Sequence, residues 1–159
     1  YRAVYDIAFY TCHRTLHSKN IYFLHKTHHN HKFPTLVTNY EFSQIDLYTE
    51  GIFPSMVAGS VLILVSEQSD YFIMALLGIY VQWYQIGSHS SKSIPVFSAL
   101  PPLSFIYNGL LNVLKPTCFQ KHDPIYFHHQ HHKIVNKNFG ITPWLDWIFQ
   151  TNSKSCSRI

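Results

Sequence analysis

The chain has 159 residues, the size of one domain, and carries 12 Lys and Arg against 8 Asp and Glu, a net charge of +4. Charged residues make up only 13% and aromatics 16%, against roughly 25% charged in a typical soluble domain. This composition excludes a disordered chain, an acidic tail and a surface that meets water on every side. Histidine stands out, since 12 of them outnumber the carboxylates. A small positive charge with no basic run argues against nucleic acid as a partner. Cys12, Cys118 and Cys156 are odd in number and form no Cys-x-x-Cys pair. That speaks against a disulfide framework and a thiolate zinc site, and fits a reducing, cytosol-facing location. No secretory signal is visible, and a chain beginning at Tyr1 is read as a fragment without its upstream segment.

In chain order, residues 1–33 read as helical and hold six of the histidines, with Pro34 closing the stretch. Residues 35–50 are mixed, with Asp46 and Glu50 among aromatics. Two apolar runs follow, Ile52–Val65 and Tyr71–Gly87, separated by residues 66–70. They are shorter than the roughly 20 residues of an upright spanning helix. Neither has a charged face, so a membrane hairpin is expected, with buried core helices as the alternative. All 12 Lys and Arg lie outside the 66–70 turn, which carries Glu67 and Asp70. The positive-inside tendency then puts the turn on the lumenal or outer side and both flanks in the cytosol. Ile94–Leu114 is apolar but broken by Pro95, Pro101, Pro102 and Gly109, which suits an interfacial or re-entrant segment. Asp123 and Pro124 read as an N-cap and first helical residue of a helix through the last histidines. Asn138-Phe139-Gly140 ends or bends it, and Thr142-Pro143 opens a short helix with Trp144, Trp147 and Phe149. The tail after Thr151 is polar. The expected fold is all-α, an integral membrane helical bundle with a transmembrane hairpin and a cytosol-facing, histidine-rich cap.

The histidines fall in three clusters. His13 and His17 form His-x-x-x-His. His25, His28 and His29 form His-x-x-His-His, and His128, His131 and His132 repeat that pattern. On a helix turning about 100° per residue, each cluster presents its imidazoles within an arc of about 100°. At 12 histidines in 159 residues, about 0.07 matches to His-x-x-His-His are expected by chance, and two occur. Neutral imidazole suits Fe, Zn, Cu and Ni. Eight rings exceed the needs of one ion, so two metals share eight or nine imidazoles, with His89 the candidate ninth. Gln85, one turn before His89, reads as an interfacial polar residue, with weak metal binding or a hydrogen bond to a ligand's second nitrogen as alternatives. His31 reads as solvated and His122 as a loop residue. His129 points about 60° away from His132 and is left out. Arg14, Lys26 and Lys133 read as solvated or headgroup-facing.

The ordered set His-x-x-x-His, His-x-x-His-His, hydrophobic hairpin, His-x-x-His-His resembles the fatty acid hydroxylase/sterol desaturase superfamily of membrane di-iron oxygenases acting on lipids. His89 matches the family's intermediate histidine, with Gln85 four residues earlier. Asn138-Phe139-Gly140 and the run from Trp144 through Asp146 and Trp147 to Phe149, Gln150 and Thr151 are similar to the family's ending. Gln150 stands where that ending has Gly. The resemblance spans Thr11 to Thr151 and implies a single domain over 1–159, truncated at its N-terminus. It further implies two iron ions held by His13, His17, His25, His28, His29, His89, His128, His131 and His132, with O2 as co-substrate. Also implied are a lipid substrate (sterol, fatty acyl or sphingoid), electrons from a small cytochrome and an NAD(P)H reductase, and residence in the endoplasmic reticulum membrane. The alternatives are a catalytically inactive metal-binding membrane homologue and a zinc-dependent membrane hydrolase. The second would ordinarily need a carboxylate base beside its ligands, and none of the boxes contains Asp or Glu.

Overall fold

A computed structural model of the chain describes residues 1–66, 71–89 and 124–153. Among these every regular element is helical and none is a strand. Residues 67–70 of the turn, the Ile94–Leu114 segment, Cys118, His122, the Asp123 cap and the tail from residue 154, with Cys156, lie outside the described residues.

Helix α1 spans Arg2–Leu16. Its rings at i, i+4 spacing share a face, and they form one column: Tyr1 to Tyr5 at 6.3 Å between centroids, Tyr5 to Phe9 at 6.1 Å, Phe9 to His13 at 5.2 Å and His13 to His17 at 4.9 Å. Tyr5, Phe9 and His13 are buried. The apolar rings anchor the helix, and the imidazoles at the end of the column are carried inward with them.

Contrary to the expectation of helix through residue 33, α1 is capped at His17. The chain continues through 3-10 turns at Tyr22–Leu24 and His28–Asn30. Ser18 and Asn20 follow the cap, and short polar side chains of this kind compete with the helical backbone for hydrogen bonds. The break has a geometric consequence. In an unbroken helix His25 would stand about 18 Å along the axis from His13, whereas the turn folds back and leaves the two rings 5.0 Å apart.

Helix α2 spans Gln44–Ser66, 23 residues, and it alone among the described residues is long and apolar enough to cross a membrane. At 1.5 Å per residue it is about 35 Å long, against roughly 30 Å of bilayer hydrocarbon. Its far end is apolar yet uncovered, with Leu64 and Val65 each 78% exposed. Ser43 caps it, its Oγ accepting from the Asp46 N–H at 3.1 Å and donating to the Leu24 carbonyl at 2.7 Å. Residues Leu47–Ile52 are π-helical, and the Phe53 N–H reaches back five residues to the Tyr48 carbonyl. Pro54 follows at once; it has no N–H to give, and its ring would press on the carbonyl four residues back. The wider turn accommodates it.

Helix α3 spans Tyr71–Ser88. Its Val81 joins Tyr5 and Phe9 of α1 and Ala58 of α2 in one core cluster. Gly59 lets α2 and α3 meet closely, since a Cβ there would stand 2.5 Å from Met74 Cε. Helix α4 spans Pro124–Lys133 and begins, as expected, at the proline, where the missing N–H costs nothing. Helix α5, Trp144–Ile148, follows Pro143. The segment around it is fastened to α1. Asp6 accepts from the Thr142 hydroxyl and from Trp144 Nε1 at 3.1 Å, and the Tyr10 and Thr151 hydroxyls are bonded at 2.9 Å.

Candidate metal centre

Four parts of the chain meet under α1. The end of α1 supplies His13 and His17, and the 3-10 turns supply His25, His28 and His29. The end of α3 supplies His89, and α4 supplies His128, His131 and His132. The nine rings gather into two groups, each with one donor nitrogen per ring and all donors within 4.8 Å of one another. One group is His13, His17, His25, His29 and His131; the other is His28, His89, His128 and His132. The groups adjoin, with the His25 and His28 rings 5.1 Å apart and those of His29 and His132 4.7 Å apart.

The second box is divided by its turn. A 3-10 turn eclipses residues three apart, and His25 and His28 stack at 29°, yet each belongs to a different group. On α4, His128 and His132 enter one group and His131 the other. The convergence expected of helical arcs is therefore achieved in the second box without an α-helix.

The tautomers of five rings follow from their outer contacts. A protonated Nδ1 donates to the Phe139 carbonyl from His13 at 2.6 Å, to Lys137 from His131 at 2.6 Å, to Gln85 from His89 at 2.9 Å, and to His31 from His132 at 3.1 Å. His25 Nδ1 donates to Asp46 Oδ1 at 2.8 Å. Each of these rings then turns a bare Nε2 lone pair inward. Facing Nε2 atoms stand 3.0–3.3 Å apart: His17 to His13, His29 to His25 and to His131, His28 to His89, and His128 to His89 and to His132. His29 flanked by His25 and His131 has one proton at most for two lone pairs, and so does His128 between His89 and His132. Converging lone pairs repel unless a cation lies among them. Neighbouring ligands at right angles around an ion with M–N of about 2.1 Å are about 3 Å apart, so the spacing fits a metal.

The electrostatics agree. His13, His28, His128 and His131 are held well below the ordinary imidazole pKa by burial and then by neighbouring imidazoles. His17 and His29 are lowered for the same reasons. Burial lowers His89 to about 4 and His132 to about 3. These rings are neutral near pH 7, the form that binds metal. His25 is shifted the other way. Burial works against its charge, but Glu50 and Asp46 outweigh it and raise its pKa. Glu50 Oε2 lies 3.4 Å from His25 Nδ1.

The remaining candidates belong to neither group. The Gln85 side chain bonds the Tyr5 hydroxyl at 3.0 Å, and only its backbone carbonyl serves a ring of the groups. The His31 ring pairs with the exposed Glu41 at 2.9 Å, while its carbonyl holds His132. His129 packs on Phe33 at 5.4 Å. Lys133 lies over the same Phe33 ring at 5.2 Å, and Arg14 lies over Tyr10 and Phe149 at 5.9 and 5.8 Å. Lys26 is exposed.

Sequence reasoning missed the supports. Asp46 and Glu50 are buried, and two carboxylates four residues apart at the mouth of an apolar run were the available signal. Asp146, fully buried, takes the N–H of Phe139 at 2.9 Å and of Gly140 at 2.7 Å and the Thr151 hydroxyl at 2.6 Å. It thereby sets the Phe139 carbonyl that orients His13. Gly140 is required there, because a Cβ would stand 2.5 Å from the Thr142 carbonyl oxygen and 2.9 Å from Asp146 Oδ2.

A cavity of about 70 Å³ opens against the four-histidine group, touching His28, His89 and His128. Phe9, Phe42 and Ile52 line its apolar side, and Glu50 lies on its wall.

The fatty acid hydroxylase family matches residues 1–151. The chain is similar to the fatty acid hydroxylase ahd1 of Mycosarcoma maydis, with 30% identity over 151 residues, 92% of this chain and 31% of that protein. It thus spans about a third of that relative's length. No solved structure matches. With two groups of imidazoles able to hold metal and a family match over nearly its whole length, the chain belongs to the fatty acid hydroxylase family.

Proposed function

We propose that the chain is the core of a membrane-bound di-iron oxygenase that hydroxylates or desaturates a lipid, a sterol or a fatty acyl or sphingoid chain, using O2 and two electrons. The observation that carries this reading is the sorting of nine imidazoles into groups of five and four, their lone pairs facing one another at 3.0–3.3 Å, with a cavity against one group. Bound iron supplies the oxidising power toward an unactivated C–H bond that no side chain has. His13, His17, His25, His29 and His131 hold one ion, and His28, His89, His128 and His132 the other. The carbonyls of Phe139, Lys137, Gln85 and His31 keep four of these rings in the ligating tautomer. Phe9, Phe42 and Ile52 give the reacting carbon an apolar wall and limit water at the centre.

In this reading α2 and α3 form a membrane hairpin. The absence of Lys and Arg from residues 66–70 supports a lumenal turn and a cytosolic metal centre in the endoplasmic reticulum. Electrons then come from a small cytochrome and an NAD(P)H reductase on the cytosolic side.

Glu50 on the cavity wall favours one second reading, a zinc-dependent hydrolase with Glu50 as general base. The deciding experiment is metal analysis of the full-length protein purified with its lipid, together with oxygen uptake. Two irons per chain and lipid-dependent O2 consumption with a reductant are expected. Stoichiometric zinc without iron, and no O2 uptake, would refute the oxygenase reading.

A further inference from the structure

Five of the nine rings have an identified partner for Nδ1. In four of them it is a neutral backbone carbonyl; His25 alone, among the described residues, gives its Nδ1–H to a carboxylate. We infer that Asp46 is a positioning residue for the five-histidine ion, orienting His25 and strengthening its Nε2 as a donor. The inference rests on the di-iron reading and adds a difference between the two ions.

Asp46 is fully buried at the start of the apolar helix α2. Carboxylates are rarely placed so unless they are paired, because desolvating one is costly. Here its backbone is tethered beside one ring. The Ser43 cap binds the Asp46 N–H and ties it to the Leu24 carbonyl, the residue before His25. The π-helical turn from Leu47 brings Glu50 to the same edge, so two carboxylates face one imidazole. His25 Nε2 then points at His29 Nε2, 3.0 Å away, inside the five-histidine group. A negative acceptor on the far nitrogen raises the basicity of the ligating one, and losing such a partner typically weakens metal binding 10–100-fold. The four-histidine group has no such partner on His89 or His132, whose Nδ1 atoms go to carbonyls.

The test uses the full-length protein in lipid nanodiscs loaded with Co²⁺ as a probe for the two sites. Affinity is read by chelator competition and coordination by the ligand-field absorption spectrum. The wild-type protein should hold two ions. Asp46→Asn keeps an acceptor oxygen but removes the charge, and should weaken one ion about 10–100-fold and shift its absorption while the other ion is unchanged. Ser43→Ala leaves the carboxylate but loosens its tether, and should weaken the same ion by a smaller factor. Wild-type affinity and spectrum for both ions in Asp46→Asn would overturn the inference and leave the di-iron reading standing. If that variant does not fold, unchanged binding in Ser43→Ala overturns it instead. A wild-type protein that binds fewer than two ions overturns both.

Discussion

The carbonyl of Phe139 accepts a hydrogen bond from His13 Nδ1 at 2.6 Å, joining residues 126 positions apart. One side of this contact is built by the aromatic column of α1. The other is built by Asp146, which holds the Phe139 and Gly140 amides. The family's C-terminal ending is, in this chain, the jig that orients a candidate ligand of the first box.

Gly140→Ala tests that jig. The new methyl meets a backbone carbonyl and the Asp146 carboxylate, and overpacking of this kind costs about 1–3 kcal/mol. Thermal unfolding of the protein in detergent should show a lowered midpoint. Metal occupancy of the group containing His13 should fall, with the four-histidine group less affected.

Gln150 has φ 55, a left-handed conformation that costs a residue with a Cβ roughly 1–2 kcal/mol. Gln150→Gly should therefore stabilise the fold by about 0.5–1 kcal/mol after its greater unfolded-state entropy is counted. The Lys137 Nζ contact to residue 150 is to its carbonyl and survives the change. A higher midpoint in the same melting assay is the expected result, and a lower one would contradict the strain.

The two groups can be taken apart separately. His28→Ala should remove the four-histidine ion and His131→Ala the five-histidine ion. Metal analysis should show about one ion per chain in each case, and lipid turnover should be abolished in both. His31→Ala should be mild, since the His31 ring pairs with exposed Glu41 while the carbonyl that holds His132 is retained. Equal losses in all three variants would show that ligands and bystanders have been sorted wrongly.

Removal of metal should make stability depend on acid. A histidine whose folded pKa is depressed binds a proton more readily when unfolded, so its contribution is complete above pH 6.5 and is lost as pH falls toward the folded value. His89, at about 4, and His132, at about 3, set the window. His89 accounts for on the order of 3 kcal/mol between pH 6.5 and 4. His25, raised by its carboxylates, opposes the trend in part. Melts of chelator-treated protein from pH 7 to 4 should show a falling midpoint, and metal should flatten the curve by competing with protons.

Much of the site was legible in the chain itself, because ligand chemistry and local backbone rules are written in residue type and spacing. The boxes at His13/His17, His25/His28/His29 and His128/His131/His132, the helix start at Pro124 and the break at Asn138-Phe139-Gly140 are all visible there. Tertiary structure alone decided which ring joins which group. His25 and His28 part company although their rings stack, because His25 faces His29 while His28 faces His89, and His131 separates from its neighbours on α4 because it too faces His29. Asp46 could be read as a misplaced charge but not as the partner of His25. Their meeting across 21 residues depends on the Ser43 cap, which ties the start of α2 to the carbonyl before His25. Periodicity reports which face a side chain occupies, and it carries no information about what another segment lays against that face.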